Sequence, residues 1–317
     1  MQTSPSLIEI YNMEKHYIKN KLYNTSVLRV VDGISFSISK GETFSLIGES
    51  GCGKSTLGRI IGKLLVPTTG KVLFEGRDIT KLVRKKDKKL QKDIQYVDKE
   101  ASFKWNKRST IFKMLEKVLE THEMCSNTNG HYLISHLLNS MGLAHIAYHP
   151  IQGLTPGERQ LVNIACALVL QPKLVILDDP LSGLDLSVQS QVLNILSHIK
   201  KKRAITYLFI SDNLNASYYI SDQVAVMYKG RIVEKGTVSQ IYEEPIHPYT
   251  QALMSTVPSI YKRERIILKG APPSSSCPSN GCPFYKRCPF AQAACKSRQP
   301  LLREIRSGQF VSCHLYA

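Results

Sequence analysis

Short apolar runs and stretches of helical spacing alternate along the chain. Residues 43–47 form an apolar run that leads into Gly48, and residues 57–65 have the spacing of an amphipathic helix. Residues 174–177 and 205–210 are continuous apolar runs, as expected for strands that are buried on both faces. Strands that alternate with helices predict an α/β domain whose sheet is mostly parallel.

Two stretches depart from this alternation. Residues 224–233 predict a hairpin of two strands joined by a tight turn at Lys229 and Gly230. Residues 110–141 have helical periodicity and no strand signal, which predicts a helical insertion over about residues 99–160.

The composition changes near residue 257, where Pro, Ser and Cys become frequent. We therefore expect one large domain over residues 1–256 and a small cysteine-rich module over residues 257–317. No window approaches 18 consecutive apolar residues, and the N-terminus lacks the pattern of a secretory signal. These features predict a cytosolic or membrane-peripheral protein.

The formal net charge is +17, from 42 Lys and Arg against 25 Asp and Glu. Such a surplus favours phosphate-bearing or other anionic partners. The densest basic run, residues 84–89, has no interleaved aromatic residues, so we expect a solvated surface segment and no nucleic-acid partner.

The segment that follows the first apolar run matches the phosphate-loop pattern Gly, four residues, Gly-Lys-Ser. Glycines let successive N–H groups turn towards phosphate oxygens, and the following helix adds its positive end. Lys54 would reach the outer phosphates of ATP, and Ser55 would ligate Mg²⁺. The predicted binding residues are Gly48, Glu49, Ser50, Gly51, Cys52, Gly53, Lys54, Ser55 and Thr56.

Asp178 ends the apolar run at residues 174–177, and Asp179 and Pro180 follow it. A carboxylate at such a strand end can hold Mg²⁺ directly or through water. Two acidic residues before a proline can instead simply cap the next turn, but the phosphate loop favours the metal-binding role.

Together these motifs resemble the ATP-binding subunits of ABC transporters over nearly the whole chain. Residues 154–160, Leu-Thr-Pro-Gly-Glu-Arg-Gln, stand in place of the family's Leu-Ser-Gly-Gly-Gln signature. Residues 182–185 resemble the loop that crosses the dimer interface, residues 210–212 replace the switch-histidine segment, and Tyr17 matches the aromatic that stacks on adenine. The resemblance implies a P-loop NTPase core with an antiparallel N-terminal β portion and a helical insertion.

Two C-terminal stretches resemble the oligopeptide and dipeptide branch of that family. They are His-Pro-Tyr-Thr-Gln-Ala-Leu at residues 247–253, and a tail with Arg-Cys-Pro at 287–289 and Val-Ser-Cys-His-Leu at 311–315. The resemblance implies a peripheral subunit on the cytosolic face of the membrane. Its partners would be a second ATP-binding subunit, two transmembrane permeases and an extracytoplasmic peptide-binding protein, and ATP would close the heterodimer.

Three candidate catalytic residues differ from the family pattern. Asp179 replaces the catalytic Glu, and a shift of about 1 Å in a positioned group can cost roughly a hundredfold in rate. Asp212 replaces the switch His and adds negative charge near the γ-phosphate. Lys99 aligns with a Gln that contacts the metal or the attacking water, an alignment that rests on residues 104–108. A charged Lys cannot ligate Mg²⁺.

The signature, which would serve the partner's nucleotide, also differs. Thr155 keeps a hydroxyl for the γ-phosphate and Gly157 follows, but Pro156 lacks an N–H that the family's Gly supplies. We expect the chain to bind ATP firmly and to hydrolyse it slowly or not at all. Neutral substitution with retained slow catalysis is the alternative.

Four cysteines in the tail, Cys282, Cys288, Cys295 and Cys313, are separated by five, six and seventeen residues. None of these gaps is the two-residue gap common in zinc ribbons. Thiolates suit Zn²⁺ and an iron–sulfur cluster equally, and free thiols are a third interpretation. The branch resemblance implies a [4Fe–4S] cluster, with Cys277 outside the pattern.

Two other functions fit parts of the sequence. A soluble ABC-type ATPase acting on nucleic acid or ribosomes would agree with the positive charge, but such proteins usually carry two ATP-binding cores or a long coiled coil. A non-catalytic regulatory nucleotide sensor would agree with the altered catalytic positions.

Overall fold

A computed structural model describes residues 5–21, 24–82, 84, 87–99, 108–124, 127–257, 264–268 and 280–316. Residues 85–86 of the basic run, residues 104–107 of the Lys99 alignment and Cys277 lie outside the described residues. The predictions that concern them have no structural counterpart.

The secondary structure follows the predicted alternation of strands and helices. The strands are β1 (Ser6–Lys21), β2 (Asn24–Ser39), β3 (Thr43–Ile47), β4 (Thr69–Phe74), β5 (Arg77–Asp78), β6 (Ile94–Val97), β7 (Leu174–Asp178), β8 (Thr206–Ile210), β9 (Gln223–Tyr228), β10 (Arg231–Thr237), β11 (Arg303–Arg306) and β12 (Gln309–Val311). The α-helices are α1 (Lys54–Ile61), α2 (Lys88–Asp93), α3 (Ile111–Thr121), α4 (Asn127–Ser140), α5 (Pro156–Leu168), α6 (Leu186–Arg203), α7 (Leu214–Ile220), α8 (Val238–Glu243), α9 (Pro248–Met254) and α10 (Ala293–Ser297).

The chain folds into two compact units. The first unit comprises Met1–Ile61, Leu65–Lys81 and Phe209–Ala317, and the second comprises Gly62–Leu64 and Leu82–Leu208. Strand β8 begins in the second unit and ends in the first.

The first unit contains an antiparallel sheet of order β2-β1-β4-β5 and a mixed run of strands of order β11-β12-β10-β9-β3. Strands β3 and β9 are parallel, whereas β9, β10, β12 and β11 pair antiparallel. Strand β12 joins the described C-terminal residues 280–316, hereafter the tail, to β10 through the pairs Glu234–Val311 and Lys235–Phe310.

The predicted hairpin is confirmed as β9 and β10. Lys229 and Gly230 have φ values of 46° and 78°, and Tyr228 lies opposite Arg231. Left-handed conformation at both turn residues gives the backbone twist that matches paired strands, which is why a Lys-Gly turn works here.

The second unit contains the parallel pair β6 and β7 and the helices α2–α6. All five residues of β7 are buried, as its continuous apolar pattern predicts. Helices α3 and α4 confirm the helical character predicted for residues 110–141, and the Thr110 side chain caps α3 by accepting from the Lys113 N–H.

Helix α1 is shorter than the 57–65 pattern predicts at its C-terminal end. It ends at Ile61, and Lys63 adopts a left-handed conformation with φ 59°. That conformation ends the helix although the apolar spacing continues.

Packing in the first unit joins the tail to the strands. Phe284 of the tail is buried in one cluster with Tyr228 of β9 and Tyr249 of α9, and Cys282 and Cys295 lie in the same cluster. Among the described residues, no helix has both the length and the apolar character needed to cross a membrane.

Candidate functional site

The phosphate loop, residues 48–55, connects β3 to α1 in the first unit. Gly48 has φ 145°, and a Cβ there would lie 2.2 Å from the carbonyl oxygen of Met227. Gly53 has φ 109°, and its Cβ would lie 2.3 Å from the carbonyl oxygen of Val30. Only glycine fits these two positions, because each backbone presses against the backbone of a neighbouring strand.

Lys54 is the first residue of α1, and its side chain contacts the backbone of the phosphate loop. Its Nζ donates to the carbonyl oxygens of Gly48 at 2.7 Å and Glu49 at 3.1 Å. The same Nζ forms an ion pair of 2.7 Å with Asp212 Oδ1. The structure thus brings together the predicted phosphate-binding lysine and the carboxylate at the switch position. A phosphate that binds Lys54 must compete with that carboxylate.

The remaining loop residues differ in exposure. Ser50, Gly51 and Ser55 are exposed, and Thr56 is half-buried at the start of α1. Cys52 is buried, and burial raises the pKa of its thiol.

Tyr17, the predicted adenine-stacking residue, lies on β1 in the same unit. It is 41% exposed, and the Lys15 ammonium lies 5.1 Å from the centroid of its ring. A base can reach a ring face with this exposure, and a neighbouring cation would favour a triphosphate beside it.

Asp178 lies at the end of β7 in the second unit and is buried. The Tyr96 hydroxyl donates to its Oδ2 at 2.5 Å. Tyr96 lies opposite Ile176 on the parallel neighbour β6, so the pairing of β6 with β7 creates this contact. Sequence reasoning missed this role of Tyr96, since Tyr96 and Asp178 are 82 residues apart.

Asp179 and Lys99 form an ion pair, with 3.4 Å between Asp179 Oδ2 and Lys99 Nζ. Asp179 has φ 50°, a left-handed conformation that Asp tolerates better than most residues. The Lys99 ammonium thus faces the carboxylate that stands in place of the catalytic base.

The signature segment begins α5 in the second unit. Thr155 is its N-cap, and the Thr155 hydroxyl donates to Glu158 Oε2 at 2.8 Å while accepting from the Glu158 N–H at 3.3 Å. Pro156 at the first helical position costs no intrahelical hydrogen bond. A Cβ on Gly157 would lie 2.6 Å from Val188 Cγ1, so glycine allows close packing there.

The four tail cysteines lie within electrostatic reach of one another. Burial is the main reason that the pKa of the Cys282 thiol is raised to about 11, and the charges of Cys295, Cys313 and Cys288 contribute to that rise. The Cys282 N–H donates to the carbonyl oxygen of Cys295 at 2.8 Å. Within the part of the chain that the structure describes, no three His, Cys, Asp or Glu side chains are arranged to hold a metal ion.

Two contacts at the phosphate loop were not predicted. Arg287 Nη1 donates to both carboxylate oxygens of Glu49, at 2.9 Å each, and the Glu49 N–H donates to the Tyr249 hydroxyl at 2.9 Å. Both partners belong to the stretches that resemble the peptide branch. That resemblance was the only signal in the sequence, and it carried no information about contacts.

The chain is similar to known proteins over nearly its whole length. The family model described as ABC transporter matches residues 31–182, and the model described as Oligopeptide/dipeptide transporter, C-terminal region, matches residues 233–295. The chain is 40% identical to the Oligopeptide transport ATP-binding protein AppF of Bacillus subtilis (strain 168), over 98% of each chain.

Solved structures show the same fold. One is cbiO1 from Clostridium perfringens, described as part of the ABC transporter complex cbiONQ, with a TM-score of 0.65 and 25% identity. The match covers 76% of this chain and 92% of that one. Another is a nucleotide-free ATP-binding cassette from an ABC transporter, with a TM-score of 0.60 and 24% identity over 73% and 91% of the two chains.

Proposed function

Because the chain belongs to the ABC transporter family, as an ATP-binding subunit of its oligopeptide/dipeptide branch, we propose that it couples ATP binding to the import of peptides. Subunits of this family are transport-coupled ATPases. The observation that carries the proposal is the phosphate loop, in which Gly48 and Gly53 shape the backbone and Lys54 presents its ammonium.

Ser55 and Asp178 would hold the Mg²⁺ that accompanies ATP. Hydroxyl and carboxylate oxygens are the ligands that Mg²⁺ prefers, and the ion would neutralise charge on the outer phosphates. Tyr96 orients the Asp178 carboxylate by hydrogen bonding to one of its oxygens.

In this proposal the chain hydrolyses ATP slowly at its own site. The Asp212 carboxylate forms an ion pair with the Lys54 ammonium, and the Lys99 ammonium forms one with the Asp179 carboxylate. Both pairs must separate before Lys54 can bind phosphate and Asp179 can accept a proton from water. The altered charges therefore favour a site that mainly clamps nucleotide.

The partners would be a second ATP-binding subunit, two transmembrane permeases and an extracytoplasmic peptide-binding protein. The chain would lie at the cytosolic face of the membrane, and Thr155 and Gly157 would contact the nucleotide of the second subunit. Closure of this heterodimer by ATP would drive alternating access in the permeases.

A purified complex with Asp179→Ala in this chain alone tests the division of labour, because the phosphate loop that clamps ATP is unchanged. We expect most ATP turnover to remain, because the partner site performs it. The matched control is the equivalent substitution of the partner's catalytic carboxylate, which is expected to abolish turnover. Complete loss of hydrolysis in a single-turnover assay of the first complex, with nucleotide still bound at the partner site, would contradict the proposal.

For the tail, we further propose that Cys282, Cys288, Cys295 and Cys313 hold an iron–sulfur cluster. The support is a set of four thiols that lie close enough for the charge of one to raise the pKa of another. The branch to which the chain belongs also supports it. Such a cluster would join separate segments of the tail. The described thiols are not arranged to hold a metal ion, so binding requires their side chains to reorient.

Elemental analysis and visible absorption of anaerobically purified protein test this second proposal. We expect iron and sulfide, with loss of both in Cys288→Ser and retention in Cys277→Ser. Zinc without iron would contradict the cluster, as would metal-free protein.

A further inference from the structure

Arg287 of the tail contacts the phosphate loop. Arg287 Nη1 lies 2.9 Å from each carboxylate oxygen of Glu49, and the two side chains are 9% and 26% exposed. Glu49 is the second residue of the loop, directly after Gly48. A segment almost 240 residues away along the chain therefore holds the start of the phosphate loop.

A second contact holds the backbone of the same residue. The Glu49 N–H donates to the Tyr249 hydroxyl at 2.9 Å, and burial raises the pKa of Tyr249, so this group remains a neutral hydroxyl. The Tyr249 ring lies 4.7 Å from the Tyr228 ring and 5.5 Å from the Phe284 ring, centroid to centroid. The anchor is thus part of a packed aromatic cluster.

The position of Arg287 is also determined by packing. Phe284 is 1% exposed, and its carbonyl oxygen accepts from the N–H groups of Arg287 at 2.9 Å and Cys288 at 3.1 Å. This turn presents the guanidinium towards the loop. Partly buried ion pairs add little net stability, because desolvation offsets much of the attraction. Stability alone is a poor reason for placing such a pair on the phosphate loop.

We propose that Arg287 of the tail and Tyr249 of α9 are positioning residues of the phosphate loop, through which these two segments set the affinity of the chain for ATP. The carbonyl oxygens of Gly48 and Glu49 accept from Lys54 Nζ, so fixing Glu49 also fixes the acceptors that orient the ammonium. The inference rests on the proposed function, in which this loop binds the triphosphate.

Four variants of the full chain separate positioning from charge. Arg287→Met breaks the pair and removes one positive charge. The double variant Glu49→Gln with Arg287→Met breaks the pair but keeps the net charge. Tyr249→Phe is nearly isosteric and removes only the hydroxyl. Arg265→Met is the matched control. Arg265 is exposed and lines a cavity of 480 Å³ together with Glu49 and Arg287, and within the described part of the chain it makes no contact with Glu49.

MgATP affinity is measured by titration calorimetry. We expect Arg287→Met and the double variant each to bind about tenfold more weakly, and Tyr249→Phe about threefold, as losses of 0.5–1.5 kcal/mol of coupling would give. Arg287→Lys, which keeps the charge, is expected to recover at least half of the loss in log Kd. Arg265→Met is expected to bind like the unmodified chain.

Amide hydrogen exchange of the nucleotide-free chain gives a readout that general damage does not mimic. We expect faster exchange in the peptide that covers the phosphate loop in Arg287→Met and Tyr249→Phe, with unchanged exchange in β7. Recovery of normal affinity by the double variant would overturn the proposal, because charge alone would then explain the effect. Unchanged loop exchange in Tyr249→Phe would overturn it as well.

A Lys54→Ala titration distinguishes the two levels of inference. If Lys54→Ala leaves MgATP affinity unchanged, the loop is not the nucleotide site and the proposed function fails. If Lys54→Ala abolishes binding while Arg287→Met and Tyr249→Phe bind normally, only the positioning role fails.

Discussion

The phosphate loop of the first unit and the Asp178–Asp179 segment of the second differ in the contacts that position them. They also differ in how many residues of the family's motif they retain. The loop keeps every residue type of its motif and is held by backbone contacts, by Tyr249 and by Arg287. The acidic segment keeps Asp178 but pairs Asp179 with Lys99.

This difference teaches that binding and hydrolysis depend on different kinds of structure. A triphosphate is bound by a backbone shape that many contacts maintain, so losing one of those contacts should cost at most about tenfold in affinity. Hydrolysis depends on the ends of a few side chains, and a methylene or a charge changes its rate by orders of magnitude. The following experiments test that comparison.

Removing the ammonium from the loop is expected to have the largest effect. Lys54→Ala should weaken MgATP binding roughly a thousandfold, because at least two charged hydrogen bonds of about 2 kcal/mol each are lost. Titration calorimetry measures it, and Lys113→Ala, an exposed lysine of α3, is the control. Retained binding would contradict the conclusion that the phosphate loop binds the triphosphate.

Restoring the family pattern in the acidic segment should have the next largest effect. The double variant Asp179→Glu with Lys99→Gln is expected to raise the single-turnover rate of ATP hydrolysis by roughly a hundredfold, since it lengthens the carboxylate and removes its cation. MgATP affinity should stay within about twofold, because the loop is unchanged. An unaltered rate with intact binding would mean that these two residues do not limit hydrolysis.

His247, two residues before Tyr249, should make the free energy of unfolding depend on pH. Burial lowers the pKa of His247 to about 3, and His247 Nδ1 accepts from the Tyr249 N–H. The unfolded chain protonates near its ordinary pKa of about 6.5, so stability is complete above that pH and falls by about 2 kcal/mol by pH 5.

His247→Asn keeps an acceptor for the Tyr249 N–H but does not titrate. We expect its melting temperature to fall less between pH 7 and pH 5 than that of the unmodified chain. Glu234 accepts from the His247 N–H, and burial raises its pKa, which gives the opposite pH trend. That trend is common to both proteins, so the difference between them reports on His247. Parallel melting curves would contradict the assignment.

The smallest effect is expected at the switch position. Asp212→Asn should strengthen MgATP binding about fivefold, because phosphate no longer competes with a carboxylate for Lys54 and a partly exposed ion pair contributes about 1 kcal/mol. Asp212 is half-exposed, which limits the effect. Weaker binding in calorimetry would show that Asp212 helps to hold Lys54 in its binding position.

Much of the fold follows from local sequence. The apolar runs predicted β3, β7 and β8, and the Lys-Gly turn predicted the β9–β10 hairpin, because period and turn chemistry act over a few residues. The helix after the phosphate loop was predicted too long, since Lys63 reverses the backbone within a continuing apolar pattern.

Residue types at fixed spacing were enough to predict the loop at residues 48–55 and the acidic pair after β7. The substitutions expected at positions 99, 179 and 212 came instead from the resemblance to the family. Tertiary structure alone decided which charges meet: Lys54 with Asp212, Lys99 with Asp179, and Arg287 of the tail with Glu49. The physical reason is that a charge interacts through distance in space, and distances between residues 80 to 238 positions apart are set by strand pairing and core packing.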